Sequence, residues 1–371
     1  MSKKEVSVIF FIGNMTHSGG TERVLSIVAN GLSERGFHVS IMSLWGKGQS
    51  FFSLKKTIKL YWMEERCAKF DILKQLSCLD RILKKEHADF LVDVDIILGL
   101  YSFFTSMRKP ELRWISWEHF NYFYHFPRNH NLRKIVRRLV CRYADCLVVL
   151  TEEDRGYYCH GLRPKCPVAQ IYNPASYEVN NFERKEQGKK IIFAAGRLVR
   201  EKGFDLLISS WKLLEPAYPE WSLLIAGEGE ERKSLEKEIK RAGLKNISLP
   251  GRTADMEELY RKAAFFVFPS RDEGLPMVLI EAMSFHLPVV SYSCRTGPQE
   301  IVTDGKDGFL VEPGHVAEFA GKMELLMQDE TLRRNMGERA GESVRRFEAE
   351  GILEQWEALF GGLQAACEDG L

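Results

Sequence analysis

The chain has 371 residues, and its 52 Lys and Arg nearly balance its 51 Asp and Glu, so the formal net charge is +1. This length predicts two domains of about 150–200 residues each, and the balanced charge excludes a global electrostatic attraction to nucleic acid. The eight cysteines include no C-x-x-C pair, which argues against a zinc site and a disulfide framework and favours a reducing cytoplasm.

Apolar runs of strand length alternate with helical patterns along the chain. This alternation predicts βα units, parallel sheets and two doubly wound α/β domains, with a ligand cleft at the carboxyl ends of the strands. The predicted strands are 6–12, 38–43, 90–94, 114–117, 146–150, 168–172, 191–195, 223–226, 265–268 and 289–292. The clearest predicted helices are 23–35, 204–214, 234–241, 277–285 and 348–366.

The start of the chain has two interpretations. Lys3 and Lys4 precede a seven-residue apolar run at 6–12, a pattern that superficially resembles a signal peptide. Because the run is short and no small-residue cleavage site follows it, a buried first strand is favoured. No stretch approaches the roughly 18 apolar residues of a membrane-spanning helix, so an integral membrane protein is not expected.

A polar segment at 176–190 divides the chain. It is rich in charge and poor in apolar residues, so it predicts a linker between an N-terminal domain, 1–175, and a C-terminal domain, 191–345. The last stretch, 346–371, predicts an amphipathic helix that carries Trp356.

Two cations follow the predicted strand 191–195. Gly196 allows a tight turn, and Arg197 and Lys202 then project from the loop before the next helix. A guanidinium fork beside an ammonium matches two adjacent phosphates and supplies the charge that a divalent metal supplies elsewhere. The alternative is a solvated basic loop in which Glu201 neutralises its neighbours.

A second cluster follows the predicted strand 265–268. Glu281 lies one turn into the next helix, on an apolar stretch where an unpaired carboxylate would be costly, and it can accept hydrogen bonds from two ribose hydroxyls. Glu273 is placed to reach a sugar. An anion site at the start of the helix is predicted over Gly274, Leu275, Pro276, Met277 and Val278. The alternative is a helix-capping acid and a core salt bridge.

His119 is a third candidate. It follows the predicted strand 114–117, in the run Ser116-Trp117-Glu118-His119. With a pKa near neutrality it can hydrogen-bond a ligand or move a proton. The alternative is an imidazole packed among aromatic side chains.

The combination Gly196-Arg197…Lys202-Gly203 with Glu273…Glu281 resembles glycosyltransferase family 4. Members of that family have the GT-B fold, in which two doubly wound Rossmann-like domains face each other across a cleft, and their glutamates are separated by seven residues, as these are. The resemblance covers nearly the whole chain and is strongest from 190 to 312. Supporting segments are Ser18-Gly19-Gly20-Thr21-Glu22-Arg23, Tyr172-Asn173-Pro174, Leu249-Pro250-Gly251-Arg252 and Gly297-Pro298-Gln299-Glu300-Ile301.

The resemblance implies donor-binding roles in the C-terminal domain. Arg197 and Lys202 would bind the diphosphate of a nucleotide sugar and stabilise the leaving nucleotide. Glu281 would hold the ribose, and the backbone near Arg252 would meet the base. Glu273 would contact the donor sugar, together with the backbone of the loop formed by Gly274, Leu275, Pro276, Met277 and Val278.

The resemblance also implies roles for the N-terminal domain. Gly19 and Gly20 would let its backbone approach the donor phosphate and the acceptor. His119 would face the donor sugar and its phosphate. The terminal stretch, 346–371, would pack back on this domain.

The implied reaction is a glycosyl transfer with retention of configuration that needs no metal or other cofactor. Attack by the acceptor on the face that the nucleotide leaves is favoured over a covalent intermediate. The pattern is most similar to bacterial enzymes that assemble cell-surface polysaccharides. The expected donor is therefore a UDP-hexose or UDP-N-acetylhexosamine, and the expected acceptor is a lipid-linked, lipopolysaccharide or capsule saccharide.

Alternative functions stay open. One is a nucleotide-sugar-binding partner subunit with little or no activity. Another is a different enzyme on the same fold, such as a sugar-nucleotide epimerase or a phosphorylase. Asp93-Val94-Asp95 also resembles the metal-binding DxD of the other large glycosyltransferase fold. Because it ends a strand far in sequence from Arg197 and Lys202, a polar strand end is favoured.

A basic amphipathic segment lies at 128–142. The favoured interpretation buries its apolar stripe in the N-terminal domain and leaves its cations in solvent. The alternative brings the basic face to anionic lipid headgroups, with exposed aromatics at 51–56 and 60–63 nearby, and predicts a cytoplasmic protein that binds the membrane peripherally. The cations are Arg128, Arg133, Lys134, Arg137, Arg138 and Arg142, and the stripe is Leu132, Ile135, Val136, Leu139 and Val140.

Overall fold

The computed structural model describes residues 5–63, 71–124, 130–179, 190–253 and 255–368. The chain forms two compact units, which we call the N-unit (Met1–Pro174 with Ala349–Leu371) and the C-unit (Ala175–Glu348). Among the described residues, each unit has its own parallel β-sheet, of seven strands in the N-unit and six in the C-unit. Most of the predicted linker, at 180–189, lies outside the described residues.

The N-unit sheet has the strand order β3-β2-β1-β4-β5-β6-β7. Its inner strands are buried on both faces, as the continuous apolar runs predict for parallel strands between layers of helices. The strands are β1 (Ser7–Asn14), β2 (His38–Trp45), β3 (Lys59–Trp62), β4 (Phe90–Asp93), β5 (Arg113–Trp117), β6 (Cys146–Val149) and β7 (Val168–Gln170). The helices are α1 (Gly20–Glu34), α2 (Ile72–Lys85), α3 (Gly99–Ser106), α4 (His130–Tyr143) and α5 (Glu152–Leu162).

The C-unit sheet has the strand order β10-β9-β8-β11-β12-β13. The strands are β8 (Ile191–Ala195), β9 (Ser222–Ala226), β10 (Ile247–Gly251), β11 (Phe265–Phe268), β12 (Val289–Tyr292) and β13 (Gly308–Val311). The helices are α6 (Phe204–Leu214), α7 (Arg232–Ala242), α8 (Met256–Lys262), α9 (Met277–Ser284), α10 (Pro298–Ile301), α11 (Val316–Gln328) and α12 (Glu330–Ser343). The chain then returns to the N-unit as α13 (Ala349–Glu368).

Each sheet has a point where its strand order reverses. The first strand of each unit lies inside its sheet, β1 between β2 and β4, and β8 between β9 and β11. Connections on the two sides of such a strand run in opposite directions, which opens a crevice at the carboxyl ends of the strands where ligands bind. The two charged clusters follow β8 and β11, the adjacent strands at this point of the C-unit.

The prediction of two doubly wound α/β domains is confirmed, as are all ten predicted strands. Among the described strands, those that the sequence did not predict are β3, β10 and β13. The prediction of exposed aromatics at 60–63 is wrong. Leu60, Tyr61 and Trp62 lie in strand β3 and are half-buried, and Met63 is buried. No helix of the described part of the chain combines the length and the apolar character needed to cross a membrane.

Helix α13 completes the core of the N-unit. The Trp356 ring is fully buried, with its centroid 4.9 Å from that of Trp117 and 6.4 Å from that of Phe10. A Cβ added to Gly31 of α1 would lie 2.3 Å from Leu353 Cδ1, so the two helices approach closely where α1 has no side chain. Since replacing a fully buried Trp by Ala costs about 3–5 kcal/mol, the last helix is a main contributor to the stability of the N-unit.

Helix α4 is turned about its axis relative to the prediction. Its periodicity predicts solvated arginines, but Arg133 and Arg137 are buried, while Leu132 and Ile135 are 41% and 53% exposed. The burial predicted for other members of the apolar stripe holds at Val136 and Val140. Arg128, a further cation of the predicted segment, lies outside the described residues.

The buried arginines of α4 have carboxylate and carbonyl partners. Arg133 Nη2 donates to Glu118 Oε1 at 2.6 Å and pairs with Asp95 Oδ1 at 2.7 Å. Arg137 Nη2 donates to the carbonyl of Asn121 at 3.1 Å and lies 3.5 Å from Glu118 Oε2. These partners offset the desolvation of the guanidinium groups, which the helical periodicity alone does not reveal.

Candidate functional site

The first predicted loop follows β8 and is shaped by glycines. Arg197 is exposed in this loop, and the side chain of Lys202 lies over Gly196, where an added Cβ would be 3.7 Å from Lys202 Cδ. Gly203 has φ +67°, and a Cβ there would lie 2.0 Å from the carbonyl oxygen of Pro269, which follows β11. Glycine is therefore required where this loop meets the loop after β11.

The two predicted clusters meet in an ion pair. Lys202 Nζ lies 2.6 Å from Glu273 Oε1, although the two residues are 71 positions apart in sequence. Their side chains are 20% and 10% exposed, and the ammonium lies 5.8 Å from the ring centroid of Phe268. Glu273 thus holds Lys202 at the carboxyl ends of β8 and β11.

A guanidinium fork that the sequence did not single out joins the same two loops. Arg271 Nη1 and Nη2 donate to Asp205 Oδ1 and Oδ2 at 2.7 and 2.6 Å. Nη1 also donates to the carbonyl of Arg200 at 2.8 Å, and the Arg271 amide donates to the carbonyl of Glu201 at 2.8 Å. The turn before Lys202 is therefore held by the loop after β11. The sequence signal is an Arg two positions before Glu273, which gains meaning only when its distant partners are known.

The loop that begins α9 is supported from behind. Pro276 caps α9, which begins at Met277, and Leu275 and Pro276 are buried while Gly274, Met277 and Val278 are half-buried. The Thr296 hydroxyl donates to the carbonyl of Glu273 at 2.5 Å. Gly297 has φ +78°, and a Cβ there would lie 2.3 Å from the carbonyl oxygen of Gly274. The first amides of α9 have no carbonyl partners within the helix, so this rigid loop presents donors and positive helix-end potential.

The other two predicted residues of the C-unit differ in burial: Glu281 is buried, and Arg252 is exposed. The Glu281 side chain is buried on α9, and its Oε2 accepts a hydrogen bond from the Tyr260 hydroxyl at 2.9 Å. The Tyr260 ring stacks on that of Phe285, with centroids 5.3 Å apart, so this partner is itself fixed. Arg252 is exposed directly after β10.

The predicted glycine loop of the N-unit precedes α1. Gly19 is the N-cap of this helix and Gly20 is its first residue, so the helix begins earlier than the predicted position 23. A Cβ at Gly19 would lie 2.4 Å from Glu22 Oε2. Burial raises the pKa of Glu22. Both glycines lie beyond the carboxyl end of β1, the strand at which the order of this sheet reverses.

His119 lies two residues after the end of β5. Its ring centroid is 4.5 Å from that of Trp117, and among the described residues its buried Nε2 has no hydrogen-bond partner. Burial, reinforced by the charge of Arg133, lowers the pKa of His119 to about 3. The imidazole is therefore neutral at physiological pH, which differs from the near-neutral pKa expected from the sequence. A neutral ring can donate and accept hydrogen bonds but does not carry a positive charge.

The Asp93-Val94-Asp95 segment is occupied by contacts within the N-unit. The Asp93 carboxylate accepts hydrogen bonds from Trp114 Nε1 and Ser116 Oγ, each at 2.5 Å, and burial raises its pKa to about 8. Asp95 pairs with Arg133, as described above. These partners agree with the favoured interpretation of a polar strand end.

The C-unit arrangement suits a ligand that carries two adjacent phosphates. Arg197 and Lys202 supply positive charge from the loop after β8, and the first turn of α9 supplies amide donors. Because Lys202 is only partly exposed, its attraction for an anion is screened less than that of a surface lysine. Arg271 and Thr296 hold the two loops in place, so the donors are preorganised.

Comparison with known proteins covers both units. Residues 18–179 match the family described as Glycosyltransferase Family 4, and residues 178–343 match the family described as Glycosyl transferases group 1. An uncharacterised glycosyltransferase of Haemophilus influenzae is 31% identical over 353 residues, which cover 94% of this chain and 98% of the relative.

Two further comparisons extend this result. An enzyme of Campylobacter jejuni named as an α-1,4-N-acetyl-D-galactosaminyltransferase acting on a diNAcBac-PP-undecaprenol saccharide is 29% identical over 370 residues, covering 96% of this chain and 99% of the enzyme. A crystal structure of Staphylococcus aureus TarM with fondaparinux, α-GlcNAc-glycerol and UDP superposes on this chain with a TM-score of 0.82 at 17% identity. The match covers 96% of this chain and 99% of the TarM chain. The chain therefore belongs to glycosyltransferase family 4, the glycosyl transferases group 1, and is a glycosyltransferase with the GT-B fold.

Proposed function

We propose that this glycosyltransferase moves a hexose or N-acetylhexosamine from a UDP-sugar to a lipid-linked, lipopolysaccharide or capsule saccharide, with retention and without a metal. The observation that carries the proposal is the Lys202–Glu273 ion pair beside the first turn of α9, with Arg197 in the same loop as Lys202. Two cations and a helix amino end supply the positive charge that a pyrophosphate requires.

The donor is held through its nucleotide and its sugar. Lys202 and Arg197 bind the diphosphate, and Glu281 accepts hydrogen bonds from the ribose hydroxyls, with the backbone near Arg252 against the base. Glu273, the partner of Lys202, contacts the sugar. Support for uridine as the base comes from the UDP in the TarM crystal structure, whose fold this chain shares.

The transfer breaks the bond between the anomeric carbon and the phosphate oxygen of UDP. The acceptor hydroxyl forms the new bond on the same face of the sugar, and its proton passes to the departing phosphate oxygen. Lys202 and Arg197 stabilise the negative charge that develops on this oxygen, which is the largest contribution expected of preorganised cations. His119, neutral because of its burial, donates a hydrogen bond to the donor sugar and does not act as a charged acid.

The proposed acceptor places the reaction at the cytoplasmic face of a membrane. Support comes from the Campylobacter jejuni relative, whose acceptor is named as an undecaprenol-linked saccharide. An enzyme that works on such an acceptor meets it at the surface of the bilayer, so we propose that the protein is cytoplasmic and binds the membrane peripherally. Gly19 and Gly20 let the N-unit backbone approach the acceptor.

The decisive experiment is a panel of UDP-, GDP- and ADP-sugars, tested with EDTA by thermal shift and by slow hydrolysis of the donor. We expect stabilisation by one UDP-sugar and release of UDP. Glu281→Ala should weaken this stabilisation, whereas Glu236→Ala, at an exposed position of α7, should not. Product analysis by NMR should show a retained anomeric configuration.

Other outcomes would replace the proposal. No stabilisation by any nucleotide sugar would indicate a partner subunit that lacks transferase activity. Release of nucleotide only after Mg²⁺ or Mn²⁺ is added would overturn metal independence and return attention to Asp93 and Asp95. Conversion of the donor into a sugar epimer without an acceptor would indicate an epimerase.

A further inference from the structure

We propose that the outer face of helices α3 and α4 is the surface through which the N-unit docks on an anionic lipid membrane. This inference rests on the proposed location of the reaction and names the part of the molecule responsible. It replaces the interpretation from helical periodicity, because the structure sorts the α4 side chains differently. The surface consists of an apolar stripe and a cationic line.

The apolar stripe crosses two adjoining helices. On α4 it comprises Leu132, Ile135 and Tyr143, which are 41%, 53% and 51% exposed, and at 100° per residue they lie on one side of the helix. Phe104 and Met107, at the end of α3, are 41% and 69% exposed. Large apolar side chains gathered on one surface mark an interaction site more often than scattered ones do.

Close packing of α3 on α4 makes the stripe continuous. A Cβ added to Gly99 of α3 would lie 2.8 Å from Val140 Cγ2, so the helices are in contact along their inner sides. At the other end of α3, the Phe103 ring centroid lies 5.1 Å from that of Tyr143 and 5.3 Å from that of Phe104. The exposed side chains of the two helices therefore belong to one surface.

The cationic line lies beside the stripe on α4. Lys134, Arg138 and Arg142 are exposed and spaced four residues apart, so they follow one another along the helix. The helix contains no Asp or Glu, and among the described residues no acidic side chain pairs with these three cations. By contrast, Arg133 and Arg137 are buried against Glu118 and are not part of this surface.

The combination favours a lipid surface over other partners. Cations alone would suit an acidic protein or a nucleic acid, and apolar groups alone would suit a second protein surface. An apolar stripe flanked by Lys and Arg that have no acidic partner among the described residues matches a helix that lies in the headgroup region, with its apolar side chains in the acyl boundary and its cations at the phosphates. Helix α7 provides the contrast, because its exposed Lys233, Lys237 and Lys240 alternate with Glu236 and Glu238.

The test is flotation of the full chain with vesicles of phosphatidylcholine alone or with about one third phosphatidylglycerol. We expect binding only to the anionic vesicles, and loss of binding in high salt. The triple variant Lys134→Ala, Arg138→Ala, Arg142→Ala should bind roughly a hundredfold more weakly, since each cation near the surface contributes about fivefold. The matched control Lys233→Ala, Lys237→Ala, Lys240→Ala on α7 should bind like the wild type.

A second pair of variants tests the apolar stripe. Ile135→Ser should weaken binding to anionic vesicles several-fold, whereas Leu213→Ser on α6 should not, although the two side chains are 53% and 56% exposed. No binding of the wild type to anionic vesicles, or equal binding of the α4 and α7 triple variants, would overturn the proposal. Flotation needs neither donor nor acceptor. If the protein does not bind vesicles, the transferase proposal is unaffected, and if it does not turn over a donor, membrane binding can still be measured.

Discussion

The two units use ion pairs of the same chemistry in different settings. In the N-unit, Arg133 and Glu118 are 5% and 0% exposed, and the pair is closed off from solvent. In the C-unit, Lys202 and Glu273 are 20% and 10% exposed, at the carboxyl ends of two strands and beside the amino end of a helix. A closed pair fixes the loop that carries it, whereas an open pair can exchange a partner for a ligand. The two pairs therefore differ in whether a ligand can reach them, which is the basis for assigning a structural role to the first and proposing a functional role for the second.

The closed pair should have the largest effect on stability when it is broken. Glu118→Ala leaves Arg133 buried without its nearest carboxylate, so we expect the free energy of unfolding to fall by about 3–5 kcal/mol. Urea unfolding would measure this change. As a control, Glu350→Ala removes a carboxylate that pairs with Arg35. The Glu350 side chain is 76% exposed, so its loss should lower the free energy of unfolding by no more than about 1 kcal/mol. Equal losses in the two variants would contradict the distinction between closed and open pairs.

The open pair should affect turnover more than stability. Lys202→Ala removes the cation that we propose stabilises the leaving phosphate, so we expect kcat to fall roughly 10²–10³-fold with a small change in Tm. Lys212→Ala, at an exposed position of α6, is the matched control and should keep the wild-type rate. A Lys202→Ala enzyme with a near wild-type rate would remove Lys202 from the mechanism.

The fork of Arg271 should have an intermediate effect, because it acts through the position of Lys202. Arg271→Ala should lower kcat about tenfold, since it releases two charge-assisted hydrogen bonds to Asp205 and the bond to the Arg200 carbonyl. Arg271→Lys keeps the charge without the bidentate geometry and should fall between Ala and wild type. The comparison is made on kcat and KM separately, with Arg241→Ala on α7 as the surface control. A changed Tm with unchanged kcat would show that the fork is only structural.

A third carboxylate, Glu86, should give the smallest effect, and one that depends on pH. Burial alone would raise its pKa, but hydrogen bonds from Lys59, Tyr61 and His38 outweigh burial and lower the pKa to about 2. The ordinary value in an unfolded chain is about 4.3, so ionised Glu86 stabilises the N-unit above that pH and the contribution disappears as the pH falls toward 2.

Urea unfolding of the wild type and of Glu86→Gln at pH 6 and pH 3 tests this sign. The wild type should be the more stable protein at pH 6, and the difference should shrink at pH 3. A difference that stays constant between the two values would show that the charge of Glu86 contributes nothing. The paired distances, 2.8 Å to both His38 Nε2 and Lys59 Nζ, make that outcome unexpected.

The strands that the sequence did not predict share a place in the sheet, although β7, another edge strand, was predicted. β3, β10 and β13 all lie at edges, where one side faces no neighbouring strand. Their residues are correspondingly mixed, with Lys59 beginning β3 and Pro250 within β10. Inner strands are buried on both faces and read as continuous apolar runs, so their sequences alone predict them.

The candidate site shows the same limit of local patterns. Arg197, Lys202, Glu273 and Glu281 were predicted because each lies in a short motif beside a predicted strand. Arg271 was not, because its partner Asp205 is 66 positions away. The prediction of which side chains of α4 are exposed was wrong for the same reason. The carboxylates that allow its arginines to be buried come from other segments of the chain. Periodicity gives the faces of a helix but not what meets each face.

The return of α13 to the N-unit has a consequence for synthesis. The N-unit core contains Trp356, so it cannot be completed until α13 has left the ribosome. The C-unit, Ala175–Glu348, is contiguous and has all of its described strands before that point. During translation the C-unit can therefore finish folding first, while the earlier-synthesised part of the N-unit waits for α13. A nascent chain that stops before α13 would leave Phe10 and Trp117 without their contacts to Trp356 and open to chaperones.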